Sequence, residues 1–124
     1  MATAHQFGHE QLTVYQTAIR FVAWAAELLK TIPKGLAVHA QLDRASTSIA
    51  LNLAEGNGKS TAADRCRFFD IARGSALESA ACLDVLVAKK LATEAQVRDG
   101  KQMLVEIVSM SVGLIRANSK TRSI

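Results

Sequence analysis

Between Gln41 and Glu78 the chain concentrates its side chains with chemical potential: Arg44, Ser48, Asn52 and Glu55 at spacings of three and four, then Arg73 and Glu78. On a helix the first four share one stripe. A stripe of donors and acceptors can hold a polar ligand, or it can close a hydrogen-bond network between packed helices. The second use accounts for the set, because each such group left unpaired in an interior costs about 1–3 kcal/mol. These six are therefore read as a structural polar network that fixes helix register or the subunit interface.

Catalytic assignments fail in turn. Glu55 and Asp64 could be drawn as paired carboxylates, but no histidine lies near them in the sequence to complete an acid–base set. A di-iron bundle needs Glu-x-x-His repeats, and the chain has none. Gly56-Asn57-Gly58-Lys59 has only a superficial likeness to a phosphate-binding loop, which a strand should precede. His5 and His9 have the spacing of a helical metal pair, in a segment with no helical signal. Cys66 and Cys82 stand on one predicted helix, ~24 Å apart at ~1.5 Å per residue, too far for a disulfide. With no CxxC they read as small hydrophobes in a reducing, cytoplasmic setting. The chain is expected to be no enzyme, and to have no catalytic residue, metal or cofactor.

What remains is charge. The net charge is +4 and the pI about 9.4, values compatible with polyanion binding and equally with simple solubility. The first 58 residues carry four basic and four acidic side chains, the rest eleven and seven. Lys59, Arg65, Arg67, Arg116, Lys120 and Arg122 are the candidate nucleic-acid-binding residues, because an up-down topology brings them to one end. Glu10, Glu55 and Asp64 dilute that end, and Lys30, Lys34, Lys89, Lys90, Arg98 and Lys101 form a second, also diluted, cluster at the other. Aromatics are 5% of the chain and lie on core stripes, so stacking platforms for single strands are expected to be missing, and binding to be phosphate-driven, salt-sensitive and weakly sequence-specific.

Helices must position these residues. Val14, Ala18, Phe21, Ala25, Leu28 and Ile32 repeat at fours and threes, with Tyr15, Ile19, Val22, Ala26 and Leu29 as a second seam beside them. This predicts a first helix capped by Thr13 with Gln16 in a capping box, and ended by Pro33. A second helix runs from Val38 to Glu55 with Val38, Leu42, Ala45, Ile49 and Leu53 inward. Gly56 and Gly58 are expected to stop it in the left-handed conformation. Ser60 or Thr61 starts a third helix, with Phe69, Ala72, Ala76, Ser79, Leu83 and Leu86 inward and Lys89–Lys90 at its end. Gly74, midway, suggests close approach by a neighbouring helix. Thr93 and Gln96 open a fourth helix with a capping box.

The fold class is all-α, an antiparallel up-down-up-down four-helix bundle over residues 12–118, with a flexible arm at 1–11 and a basic tail at 119–124. The opening residues lack a hydrophobic signal core, and the apolar stretch 103–115 is too short to span a bilayer and contains Glu106. No membrane is expected. Helices two and three carry small or apolar residues on faces that a lone bundle would leave wet. Leu51, Ala54, Leu77 and Ala81 are therefore expected to form the interface of a homo-oligomer.

Four blocks add a resemblance. They are Leu12-x-Val14-Tyr15-Gln16-x-Ala18; Ile32-Pro33-Lys34; Gln41-Leu42-x-Arg44-Ala45-x-x-Ser48-Ile49-x-x-Asn52-Leu53-Ala54-Glu55-Gly56-x-Gly58-Lys59; and Phe68-Phe69-x-Ile71-Ala72-Arg73-Gly74-Ser75-x-x-Glu78. Together they resemble the family of four-helix-bundle proteins encoded within 23S rRNA intervening sequences and their relatives in bacterial genomes. The chain departs from that pattern at Ala50, where the family often has proline, at Lys59 for arginine, and at Ile32 for an aromatic. The resemblance implies a barrel-like homopentamer without established catalytic activity. Related accessory variability determinants of retroelements bind reverse transcriptase and RNA, which implies RNA or DNA, or a protein such as a reverse transcriptase, as partner. The competing expectation is an oligomeric protein–protein scaffold with no nucleic-acid role.

Overall fold

A computed structural model describes residues 7–119. Its helices are α1 (Thr13–Leu29), α2 (Ala37–Asn57), α3 (Ala62–Ala88) and α4 (Glu94–Asn118), preceded by a short 3-10 turn at Gly8–Gln11, with no strand among the described residues. None of the helices is long and apolar enough to cross a membrane.

The start of α1 differs from expectation. Leu12, in extended conformation, is the cap position, and Thr13 makes no capping box. Gln16 instead donates through Nε2 to the Glu10 carbonyl at 2.9 Å, and the Thr13 carbonyl accepts the Thr17 hydroxyl at 3.1 Å. The 3-10 turn thus takes up the Gln16 side chain, and residues 1–6 of the expected arm lie outside the described residues. Val14, Thr17, Ala18, Phe21, Ala25 and Leu29 are buried, whereas Ile19 and Ala26 of the second seam are exposed. One face of α1 is core and the other is a shoulder. The helix ends at Leu29, ahead of Pro33, and Ile32 still reaches the core.

Gly56 and Gly58 do not act as left-handed stops. α2 continues through both Gly56 and Asn57, Gly58 has φ −85°, and no described glycine has positive φ. Gly56 is a packing notch: a Cβ there would sit 2.8 Å from Phe69 Cε1 and 3.1 Å from Phe68 Cβ. The true left-handed residue is Lys90, φ 61°. It closes α3 by donating to the Val87 carbonyl while Leu91 donates to the Leu86 carbonyl, a Schellman arrangement that usually takes glycine. Thr61 caps α3 through the Asp64 amide at 3.2 Å. Thr93 and Gln96 form the expected reciprocal box on α4.

Each helix packs on two others in the cycle α1–α2–α3–α4–α1, with the α2–α3 pairing the most extensive and no diagonal approach. The small residues Ala45, Ala50, Ala72 and Ala76 are buried and let backbones come close, while Phe21, Phe69, Leu42, Ile49, Leu53, Leu83, Leu86, Leu104, Ile107 and Ile115 fill the centre. Gly74, expected at a close helix approach, has no neighbouring helix against it within the single chain: a Cβ there would meet nothing within 4 Å. The close approach falls at Gly100, where a Cβ would lie 2.2 Å from Trp24 Cζ3. The Trp24 ring, stacked 5.7 Å from Phe21, occupies the space that a side chain would need.

Candidate nucleic-acid interface

The polar network contracts to three residues. Ser48 and Ser75 share a hydrogen bond across α2 and α3 at 2.8 Å, and Asn52 Nδ2 donates to the Ser48 carbonyl at 2.8 Å and to Ser48 Oγ at 3.0 Å. Ser75, outside the six expected members, supplies the interhelical link. Arg44 is exposed on the rim of a shallow groove with Asp43, Thr47 and Leu51. Glu55 turns to solvent and pairs with Lys59 at 3.3 Å. Arg73 is half-buried, with its Nε shielded from water and without a hydrogen-bond partner. Glu78 is exposed. Burial and, secondarily, the Glu78 carboxylate push the Cys82 thiol above its usual pKa, so this cysteine stays neutral. Both cysteines are buried free thiols.

Glu55 and Asp64 do not act on each other. Each holds its own cation, Glu55 with Lys59 and Asp64 with Arg67 at 3.8 Å. His9 packs edge-on to Tyr15 at 4.7 Å, and His5 lies outside the described residues. Among the described residues no group of three or more His, Cys, Asp or Glu could hold a metal ion.

The candidate cations divide by role. Arg65 joins three segments: Nη1 donates to the Asn57 carbonyl at 2.7 Å and to the Lys59 carbonyl at 3.4 Å, and Nε donates to Asn118 Oδ1 at 2.9 Å. Its guanidinium also lies 5.8 Å from the Phe69 ring. With these donors engaged, Arg65 is a clamp between the α2–α3 link and the end of α4, and it offers little to a ligand. Arg65→Ala should lower stability by about 1.5–3 kcal/mol, the range for hydrogen bonds to charged groups. Arg65→Lys should restore little of it, because an ammonium cannot reproduce the planar fork. Arg67→Ala should change stability by less than ~0.5 kcal/mol. Urea denaturation of the three variants checks this ordering.

Lys59 and Arg67 are the available pair. Lys59 Nζ lies 5.1 Å and the Arg67 guanidinium carbon 4.6 Å from the centroid of the Phe68 ring. Their carboxylate partners are exposed, at side-chain accessibilities of 55% and 52%, and such pairs are worth only ~0–1 kcal/mol. Arg116 is exposed two residues before Asn118, the residue that Arg65 binds, so it belongs to the same end. Lys120 and Arg122 lie outside the described residues. Phe68 itself is the residue that reading for charge missed. Its neighbour Phe69 carries the core periodicity, and only the folded chain shows the two cations on the Phe68 ring.

The arrangement is therefore cationic and aromatic. The crystal structure of a protein with unknown function from the S23 ribosomal protein family of Bacteroides thetaiotaomicron superposes with a TM-score of 0.79 over 84% of this chain and 99% of that one, at 23% identity. That likeness is one of fold. No curated protein matches the chain. The family described as 23S rRNA-intervening sequence protein matches residues 10–113, a span that takes in α1, the α2–α3 link with its cations, and most of α4. The chain belongs to the 23S rRNA-intervening sequence protein family.

Proposed function

We propose that this protein is a non-catalytic cytoplasmic accessory protein, an antiparallel up-down-up-down bundle that assembles into a homo-oligomer and binds RNA or DNA through phosphate contacts at its cationic end. The observation that carries the reading is the convergence of Lys59 and Arg67 on Phe68 beside the Arg65 clamp, with Arg116 at the same end. The antiparallel arrangement draws support from paired positions. Gly56 lies against Phe69 and Ser48 against Ser75, while Cys66 meets Ile115 and Asp84 meets Lys101. In both helix pairs one number rises as the other falls.

Assembly matters to the binding. Among the described residues this end offers three available cations, Lys59, Arg67 and Arg116, which, diluted by Glu55 and Asp64, give weak attraction, and a ring of copies multiplies it by avidity. The family resemblance suggests five copies. Fluorescence anisotropy with labelled RNA and DNA over a salt series tests the reading. Log K should fall linearly with log salt, and the triple variant Lys59→Gln/Arg67→Gln/Arg116→Gln should flatten the slope by ~0.7 per lost phosphate contact on a single strand, or ~0.9 on duplex DNA. No binding by the unaltered protein at low salt would sink the reading.

A second reading, a protein–protein scaffold, is favoured by one observation. An apolar groove of about 390 Å³ between α3 and α4 is lined by Ala76, Leu77, Ala80, Leu104, Val105 and Val108, among others. A pull-down from native lysate that brings protein and no nucleic acid would favour it.

A further inference from the structure

Phe68 and Phe69 are adjacent in sequence, and their side chains leave α3 about 100° apart. Phe69 is fully buried, whereas Phe68 is only half-buried. The Phe68 Cβ rests over the Gly56 notch of α2, which fixes the root of the side chain. Arg65 holds the backbone of the adjoining link at the Asn57 and Lys59 carbonyls. The ring thus stands on a rigid base with two cations over it, at 5.1 and 4.6 Å from its centroid.

We infer that Phe68 is a stacking platform for an unpaired nucleic-acid base, with Lys59 and Arg67 taking the phosphates on either side, so that this end selects single strands over duplex. The inference rests on the nucleic-acid reading of the same end. A base gains the ring face as a cation now over it swings to a phosphate, and the two together supply what non-specific single-strand binding requires: the ring accepts any base, and the cations follow the backbone. A duplex keeps its bases stacked on one another and offers no free face. The cations are free to turn from ring to phosphate. The Arg67 side chain is 62% exposed and that of Lys59 36% exposed, and the carboxylates opposing them are held only through solvent-exposed pairs.

The test measures anisotropy of the whole 124-residue chain with a labelled RNA of about 20 nucleotides and mixed sequence, single-stranded or annealed to its complement, at one fixed salt concentration. Phe68→Leu keeps most of the apolar bulk and removes the π face. It should weaken single-strand binding by about five- to 150-fold, the span for loss of one stacked base, with duplex binding little changed. Phe68→Trp should retain single-strand affinity. If the unaltered protein binds and Phe68→Leu binds single strands as well, the platform fails while the nucleic-acid reading stands. Equal losses on single strand and duplex would also overturn it, since the ring would then only prop the two cations. No binding by the unaltered protein removes both. Should Phe68→Leu fail to fold, photocrosslinking of the unaltered protein to 4-thiouridine RNA decides. An adduct on the peptide containing Phe68 supports the platform, and adducts elsewhere alone overturn it.

Discussion

Phe69→Ala should destabilise the fold by about 3–5 kcal/mol, the cost of emptying a buried phenylalanine site. Against a total of roughly 5–15 kcal/mol for a domain of this size, that is a large share of the margin. The site cannot collapse easily. The ring is fully buried, lies against Gly56 on one side, and has the Arg65 guanidinium 5.8 Å from its centre. Movement of α2 toward the void would pull on the Asn57 and Lys59 carbonyls that Arg65 holds. Gly56→Ala approaches the same contact from the other side. Alanine normally gains ~1 kcal/mol over glycine within a helix, but here its Cβ would meet Phe69 at 2.8 Å, so overpacking of about 1–3 kcal/mol offsets or exceeds the gain. Combining Gly56→Ala with Phe69→Leu should recover part of the loss, a coupling expected only of residues in direct contact. Denaturant midpoints followed by circular dichroism at one protein concentration read all three. A Phe69→Ala midpoint within ~0.5 kcal/mol of the unaltered protein would contradict the packing described.

The same pair shows what could be read from sequence and what could not. Helical periodicity names the inward residues of α2 and α3, because burial repeats at threes and fours whatever the partner. The caps at Thr61 and Thr93 are also legible, since a cap is settled within four residues. Gly56 was not, because a glycine that stops a helix and one that admits a neighbouring ring look alike until the neighbour is in place. Gly100 is clearer still: only Trp24, far away in sequence, reveals it. At α1 a local rule met a local competitor, and the turn at Gly8–Gln11 took Gln16 from the Thr13 box. Charge counting treats all cations as equal, so it could not separate Arg65, whose donors the fold consumes, from Lys59 and Arg67, whose charges stay available. Ser75 was legible only as part of a family motif, and its bond to Ser48 needed the third dimension.

Leu77→Glu should dissociate the proposed homo-oligomer into single chains while leaving helicity unchanged. Leu51 is 64% exposed, Val105 62% and Leu77 49%, and Ala81 is exposed beside Leu77 on the outer side of α3. These residues fill no part of the core, so a carboxylate at any of them should spare the fold. Within an interface the outcome reverses. An unpaired carboxylate trapped there costs several kcal/mol, and each ~1.4 kcal/mol is tenfold in Kd, so association per contact should weaken about a thousandfold or more. Leu51→Glu, next to the half-buried Ala54 on α2, probes the second face. The exposed apolar residues lie on different helices, so a ring would press unlike faces together, and either substitution alone should open every contact in it. Gly74 sharpens the test. Its surroundings are open in the single chain, so Gly74→Ala should gain ~1 kcal/mol in a lone helix, and it should lose association instead if a neighbouring copy fills that space. Multi-angle light scattering should find the unaltered protein at a multiple of 13.3 kDa and Leu77→Glu at 13.3 kDa itself. An unchanged mass for both Leu51→Glu and Leu77→Glu moves the interface elsewhere. An unaltered protein already at the single-chain mass removes the oligomer, and with it the avidity on which the proposed binding through Lys59, Arg67 and Arg116 depends.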